Sequence, residues 1–328
     1  MTVFVTGGNG FVGLNIVSAL VAAGHRVTAI VRLDSNTKYL EPFGVQIVRG
    51  DLGDVDALSR AMRGAETVIH TAGNTSCKWS DLPILQAANV YSTRNVVDAA
   101  LRNGVRRLVY TSTTSTVGAF DDASRVADES VPLTGYRRRS PYAATKQQAE
   151  RVVFEANARG LETIVLNPAE VVGAYDHNLQ WGRLLIAAHY DQLPFSPPGG
   201  ASYCSAADVG RAHVSALSHG RPGERYLLGG ENIRIARFLD VIGEVLGKPL
   251  RIPRANYRWL RLKTTLQERR FPFVPGRPAV EAYRMRVMGC TYYFDSSKAE
   301  RELGYRSAPI EAMVRDSAEW YRRNGFFG

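Results

Sequence analysis

Cysteine is scarce in this chain of 328 residues, and Cys77, Cys204 and Cys290 stand far apart with no C-x-x-C pairing. Such spacing excludes a disulfide framework and a zinc site, and it suits a reducing compartment, so a cytoplasmic location is expected. His70, His177, His189 and His213 lack metal spacing as well, and no metal is expected. Long apolar runs are also missing. No stretch approaches the ~18 residues that cross a bilayer, and residues 2–6 already read as a strand, which leaves no room for a signal peptide. Acid is outnumbered: 31 Asp and Glu face 41 Lys and Arg, a formal charge of +10. Between Arg251 and Arg286 ten cations face only Glu268 and Glu281, so that one late segment holds most of the excess. It carries no recognised nucleic-acid docking motif, and specific nucleic-acid binding is not expected.

What the chain does have is alternation. Short β-branched runs at 2–6, 26–31, 45–48, 67–70, 107–112 and 162–167 alternate with amphipathic stretches at 11–23, 55–62, 82–103 and 141–159. Gly24, Gly64, Gly104 and Gly160 stand in the C-cap place after each of these helices. The pattern predicts an α/β fold, a Rossmann-type doubly wound parallel sheet over residues 1–170. Beyond residue 170 the rhythm breaks, with later helices at 235–246 and 310–324. Residues 171–328 are therefore expected to form a smaller, mixed C-terminal substrate-binding region, some segments of which return to the first domain.

The stretch "VFVTGGNGFVG" follows the first strand at once and opens the first helix. Gly7, Gly10 and Gly13 supply a tight turn, a close backbone approach to a pyrophosphate and tight helix packing, with phosphate at the helix N-terminus beside Phe11 and Val12. A purely structural turn is the other account. Arg32 ends the second strand and Lys38 follows; a guanidinium grips a 2′-phosphate in two parallel hydrogen bonds, which favours NADP(H), with NAD(H) as the alternative through Asp34. Asp51 and Leu52 in "GDLGD" would meet the adenine edge. Thr71, Ala72 and Gly73 in "HTAG" would pass beneath the cofactor, and Thr111, Ser112, Asn167, Pro168 and Val171 would border the same crevice at the carboxyl ends of later strands.

Tyr142 and Lys146 in "SPYAATKQQAE" are four apart, so a helix puts both on one face. A phenol is a poor acid-base catalyst near neutral pH unless a cation steadies its anion, which Lys146 can do while also bonding the nicotinamide ribose. Thr113 in "VYTSTTSTVG" can donate a hydrogen bond to a substrate oxygen. The ordered set T-G-x-x-G-x-x-G, G-D-L, H-x-A-G, N-V-x-x-T-x-N (from Asn89 to Asn95), T-S-T and Y-x-x-x-K resembles the extended short-chain dehydrogenase/reductase family. Its nearest likeness is the branch of dihydroflavonol-4-reductase-like proteins, 3β-hydroxysteroid dehydrogenases and hopanoid-associated sugar epimerases. "NPAEVVGAYD", "ADVGRAH", "GERYLLGGEN" and "DSSKAERELGY" extend the likeness along the chain. The resemblance implies Tyr142 as proton donor, Lys146 as its electrostatic partner, Thr113 in the Ser/Thr position with Ser112 as the alternative hydroxyl, and Asn89 in support. Two features depart from it: a threonine stands where serine is common, and "GGASYCSAAD" has Ala201 and Ser202 but no arginine to hold a sugar-nucleotide diphosphate.

The expected activity is NADPH-dependent reduction of a ketone or aldehyde, reversible as an alcohol dehydrogenase. A sugar epimerase or dehydratase is the alternative, and a non-catalytic dinucleotide-binding regulator is the second, because a fold alone does not fix function. Thr75, Trp79, Thr114, Ala169, Tyr175, Asn178, Trp181 and Tyr203 are expected around the substrate, which the four aromatics make moderately hydrophobic, core packing being the other account for each of those four. Arg137, Arg138 and Arg139 would suit an acidic substrate. The stretch "RANYRWLRLKTTLQERRFPF" suits a lipid-like substrate or peripheral membrane contact, the other account being a solvated helix packed on the smaller domain. The resemblance further implies a homodimer formed through two helices of the first domain.

Overall fold

The protein is described by a computed structural model over residues 1–134, 137–253, 255–270 and 281–327, with side chains described at all of these except 267–270 and 281–282. Strand β1 (Thr2–Thr6) buries Val3, Phe4 and Val5 completely, the mark of a strand covered on both faces. Helix α1 (Phe11–Ala22) and strands β2 (Arg26–Val31) and β3 (Gln46–Arg49) follow, then α2 (Val55–Ala61) and β4 (Thr67–His70). The stretch expected as one helix over 82–103 forms α3 (Leu82–Leu85), a π-helical turn (Gln86–Tyr91) and α4 (Ser92–Arg102). Next come β5 (Arg107–Thr111), α5 (Pro141–Ala158) and β6 (Glu162–Pro168). The six expected strands all form, with ends shifted by one residue at most.

The second half holds β7 (Glu170–Val172), α6 (Gly182–His189), β8 (Gly200–Ser205), α7 (Ala206–Ser215), β9 (Glu224–Leu228), β10 (Glu231–Arg234), α8 (Ile235–Leu246), α9 (Tyr257–Arg270), α10 (Glu281–Met288), β11 (Thr291–Tyr292), α11 (Ser297–Leu303) and α12 (Ile310–Arg323). Strands run β3-β2-β1-β4-β5-β6-β9 in one parallel sheet, so strand order reverses beside β1, at its junction with β4. Ligands bind at the carboxyl ends of strands beside such a reversal.

Two late elements complete this first layer. Strand β9 pairs with β6. Helix α7 packs on α1, and Gly210 is needed there because a Cβ would strike the carbonyl of Asn15. One apolar cluster joins α1 and α7 to the sheet through Leu14, Ile16, Val209 and Ala212, while a second fills the opposite face under α2, α4 and α5. A smaller sheet is built on β8, which pairs antiparallel with β10 and parallel with both β7 and β11. Beneath it Tyr203, Phe238, Trp320 and Tyr321 form a third, aromatic core. No helix among the described residues is long and apolar enough to cross a membrane, and no group of three metal-binding side chains occurs among them.

Candidate active site

The glycine turn is fixed by space. Gly7 has φ +69°, and a Cβ there would lie 2.5 Å from the Ala72 nitrogen; a Cβ on Gly13 would collide with the Gly7 carbonyl. Gly10 caps α1 with no side-chain bond, and the first turn holds no acid. The first backbone N–H groups and the positive end of the helix are therefore open to an anion, and this cradle fits the diphosphate of a dinucleotide. A cleft of about 530 Å³ opens in front of it, lined by Gly7, Gly10, Phe11, Val12 and Gly13. Thr71, Gly73 and Thr75 enter from β4, and Thr111, Ser112, Thr113 and Thr114 from β5. Pro168, Ala169, Val171, Asn178 and Trp181 close the far side.

Tyr142 and Lys146 meet in this cleft because α5 starts where it does. Ser140 caps the helix by accepting from Ala143 N at 3.3 Å, and Pro141 occupies the first position, so Tyr142 falls in the first turn and Lys146 one turn on. Burial pushes the Tyr142 phenol's pKa well up, with Thr113 beside it acting the other way. Lys146 is 4% exposed, and burial lowers it to about 7, with Glu150 acting the other way. Its Nζ donates to Tyr110 Oη at 2.5 Å and to the Thr111 carbonyl at 2.8 Å.

Three groups missed in the sequence organise the floor and wall. Glu150, two turns beyond Tyr142 on α5, accepts from Ser112 Oγ at 2.5 Å, Thr116 Oγ1 at 2.7 Å and Asn167 Nδ2 at 2.8 Å, with Arg225 of β9 3.1 Å away. A buried carboxylate thus pins the ends of β5 and β6 and favours the charged form of Lys146. The i+8 spacing from Tyr142 was the available signal. Tyr110 had none beyond its place in a strand. Glu170 stands between Ala169 and Val171, both foreseen. Its carboxylate opens onto the cleft and accepts from Trp181 Nε1 at 3.0 Å, and the protein around it pushes its pKa up, with Arg137 and Arg183 acting against.

Several expected residues lie elsewhere. Asn89 accepts from Asn74 N at 2.7 Å and donates to the Asn74 carbonyl at 3.0 Å and to Thr145 Oγ1 at 3.1 Å, so it clamps the turn after β4 and makes no described bond to Lys146. Ala72 and Asn167 back the cleft without lining it; Asn167 is fully buried and donates to the Thr113 carbonyl at 3.0 Å. Arg32, Lys38 and Asp51 are exposed and Leu52 half-buried after β2 and β3, outside the cavity itself. Three residues expected on the substrate side do not line the cavity. Tyr203 is buried in the aromatic core, stacked 4.4 Å from Phe238; Tyr175 packs 5.8 Å from Phe43 and 6.1 Å from Trp320; Trp79 is 59% exposed to solvent. Aromatic character alone could not separate core and surface from cleft.

The basic features also resolve. Arg137 donates to the carbonyls of Val117 at 3.2 Å and Thr114 at 3.1 Å and lies over the ring of Tyr292, so its guanidinium is committed to the protein. Of the late segment, Arg254 and Arg277 and the side chains of Arg269 and Arg270 lie outside the described residues. His70 and His213 are fully buried, and burial lowers them to about 3 and about 4. Burial holds both neutral, and structural bonds fix them in place, His70 between Thr6 and Thr93, His213 between Thr111 and the Val209 carbonyl.

Residues 3–229 match the model of the NAD dependent epimerase/dehydratase family. The chain is 31% identical to a putative dihydroflavonol 4-reductase of Synechocystis sp., over 98% of this chain and 95% of that one. It is 32% identical to sterol demethylase protein B of Methylococcus capsulatus, over 99% of each. Among solved structures it superposes on a nucleoside-diphosphate-sugar epimerase from Pseudomonas aeruginosa with TM-score 0.81 and 26% identity, covering 100% of this chain and 99% of that one.

Proposed function

The chain belongs to the NAD dependent epimerase/dehydratase family as an NAD(P)-dependent oxidoreductase of the extended short-chain dehydrogenase/reductase type, and on that premise we propose that it reduces a ketone or aldehyde with NADPH, reversibly. The observation that supports this reading is that Thr113, Tyr142 and Lys146 line the same cleft that opens in front of the glycine cradle. When bound, the nicotinamide dinucleotide supplies the hydride; the residues that would hold it are the glycine turn, Thr71, Gly73 and Lys146. Thr113 and Tyr142 grip the substrate oxygen, and Tyr142 hands it the proton as negative charge develops. The charged form of Lys146 lowers the cost of leaving the phenol as its anion.

Arg32 and Lys38 at the end of β2 support NADPH over NADH, since both are exposed cations where a 2′-phosphate would lie. The relatives named a dihydroflavonol reductase and a sterol demethylase protein support a moderately hydrophobic small-molecule substrate. A sugar epimerase or dehydratase is the second reading, favoured by the epimerase fold neighbour and by Asn178 in the cleft. Against it, Ala201 and Ser202 on β8 offer no cation for a diphosphate. Tyr142→Phe is expected to lower turnover by about 10²–10⁴-fold while the nucleotide dissociation constant holds. Wild-type turnover in that variant would end the reading, and turnover without net NADPH consumption would select the epimerase.

A further inference from the structure

Helix α9 has two unlike faces. Tyr257, Leu260 and Thr264, spaced three and four apart, are half-buried toward the protein. Tyr257 packs 6.1 Å from Phe195 and closes on Gly289, where a Cβ would lie 2.7 Å from its ring. Trp259, Leu262 and Leu266 repeat the same spacing half a turn away, exposed by 57%, 55% and 53%. Arg258, Arg261 and Lys263 between them are exposed, and Lys263 reaches over the Trp259 ring at 5.4 Å. An apolar stripe of this width on a surface helix, edged by cations, has no stabilising partner in water.

We propose that this face of α9 docks the enzyme on an anionic lipid surface. The flanking cations meet lipid phosphate while Trp259, Leu262 and Leu266 enter the boundary between headgroups and acyl chains. Charge selects this occupant over a second copy of the chain, which would bring two segments of +8 face to face. The stripe selects it over nucleic acid, whose phosphates attract the cations but give leucine side chains nothing to enter. Helix α9 is also joined to the smaller sheet. Helix α10 packs against α9, and its last turn is tied to the smaller sheet, with Gly199 N donating to the Met288 carbonyl at 3.1 Å.

The test is co-sedimentation of the full chain with phosphatidylcholine vesicles, with and without phosphatidylserine, at low and high salt. Binding is expected only with phosphatidylserine, weakened by salt, and reduced at least about tenfold in the Leu262→Asp/Leu266→Asp double variant. That variant is expected to keep the wild-type nucleotide dissociation constant, which separates lost docking from lost folding. The proposal is overturned if the wild type does not bind anionic vesicles, or if the double variant binds as well as the wild type. It is equally overturned if sedimentation velocity without lipid shows a dimer that the double variant abolishes, because the stripe is then a self-interface. Docking is read with no substrate present, so the proposed carbonyl chemistry can fail while this result stands.

Discussion

Lys146 points its ammonium at Tyr110: Nζ lies 2.5 Å from that phenol's oxygen, although Tyr142 stands one helical turn away on α5. Burial lowers Lys146 to about 7, and the Tyr110 oxygen, by accepting from the ammonium, favours the charged form. Tyr110→Phe removes that acceptor, so the charged form is lost at lower pH. The alkaline limb of kcat/KM is expected to move down by about one pH unit or less, and an unmoved limb would detach Tyr110 from the chemistry.

Cofactor choice should follow Arg32. One charge-assisted bond to phosphate is worth about 1.5–3 kcal/mol, so Arg32→Ala should weaken NADPH about 10- to 100-fold and leave NADH nearly unchanged. Thermal stabilisation by each nucleotide measures this directly. Greater protection of the wild type by NADH would remove the preference for NADPH.

Glu170 lines the cleft wall with its surface exposed to the cavity, and desolvation by the protein packed around it raises its pKa. At neutral pH its charge must be partly desolvated when a neutral, apolar substrate enters. Glu170→Gln is therefore expected to lower KM for such a substrate by about fivefold, roughly 1 kcal/mol. As pH falls the wild-type carboxyl takes up its proton and the two KM values should converge. A ratio that stays constant as pH falls would rule this out.

Acid stability provides a check on the core. His70 and His213 titrate near 3 and near 4 when folded, against 6.5 for an ordinary histidine. Between those values the unfolded chain holds more protons, so stability is complete above pH 6.5 and drains as pH falls. Each histidine contributes a slope of up to about 1.4 kcal/mol per pH unit. His213→Gln should flatten the pH dependence of the urea midpoint between pH 6.5 and 4, whatever it does to the midpoint at pH 8.

The first layer was legible because each of its signals is local. A strand, three glycines and a helix start lie within residues 2–22, and Tyr142 and Lys146 lie within one helix. The cleft wall was not, because it is made by distant pieces. Tyr203 shares its aromatic character with Trp181, yet one is stacked on Phe238 under the small sheet and the other lines the cavity. Glu150 had a local signal in its i+8 spacing from Tyr142, but its partner Arg225 of β9 is far off in the chain. Asn89 illustrates the same limit: its place in a motif was visible, but its bonds to Asn74 and Thr145 depend on how the π-helical turn aims it.

Strand β9 and helix α7 carry a consequence for biosynthesis. The β6 edge and the outer side of α1 stay bare until residues 206–228 have left the ribosome, long after the glycine turn and Tyr142 have been made. A fragment ending at residue 170 would hold the glycine turn, Tyr142 and Lys146, yet it would offer an unpaired parallel edge and an apolar helix flank to its neighbours. Such a fragment should precipitate on expression, whereas one ending past α12 should not.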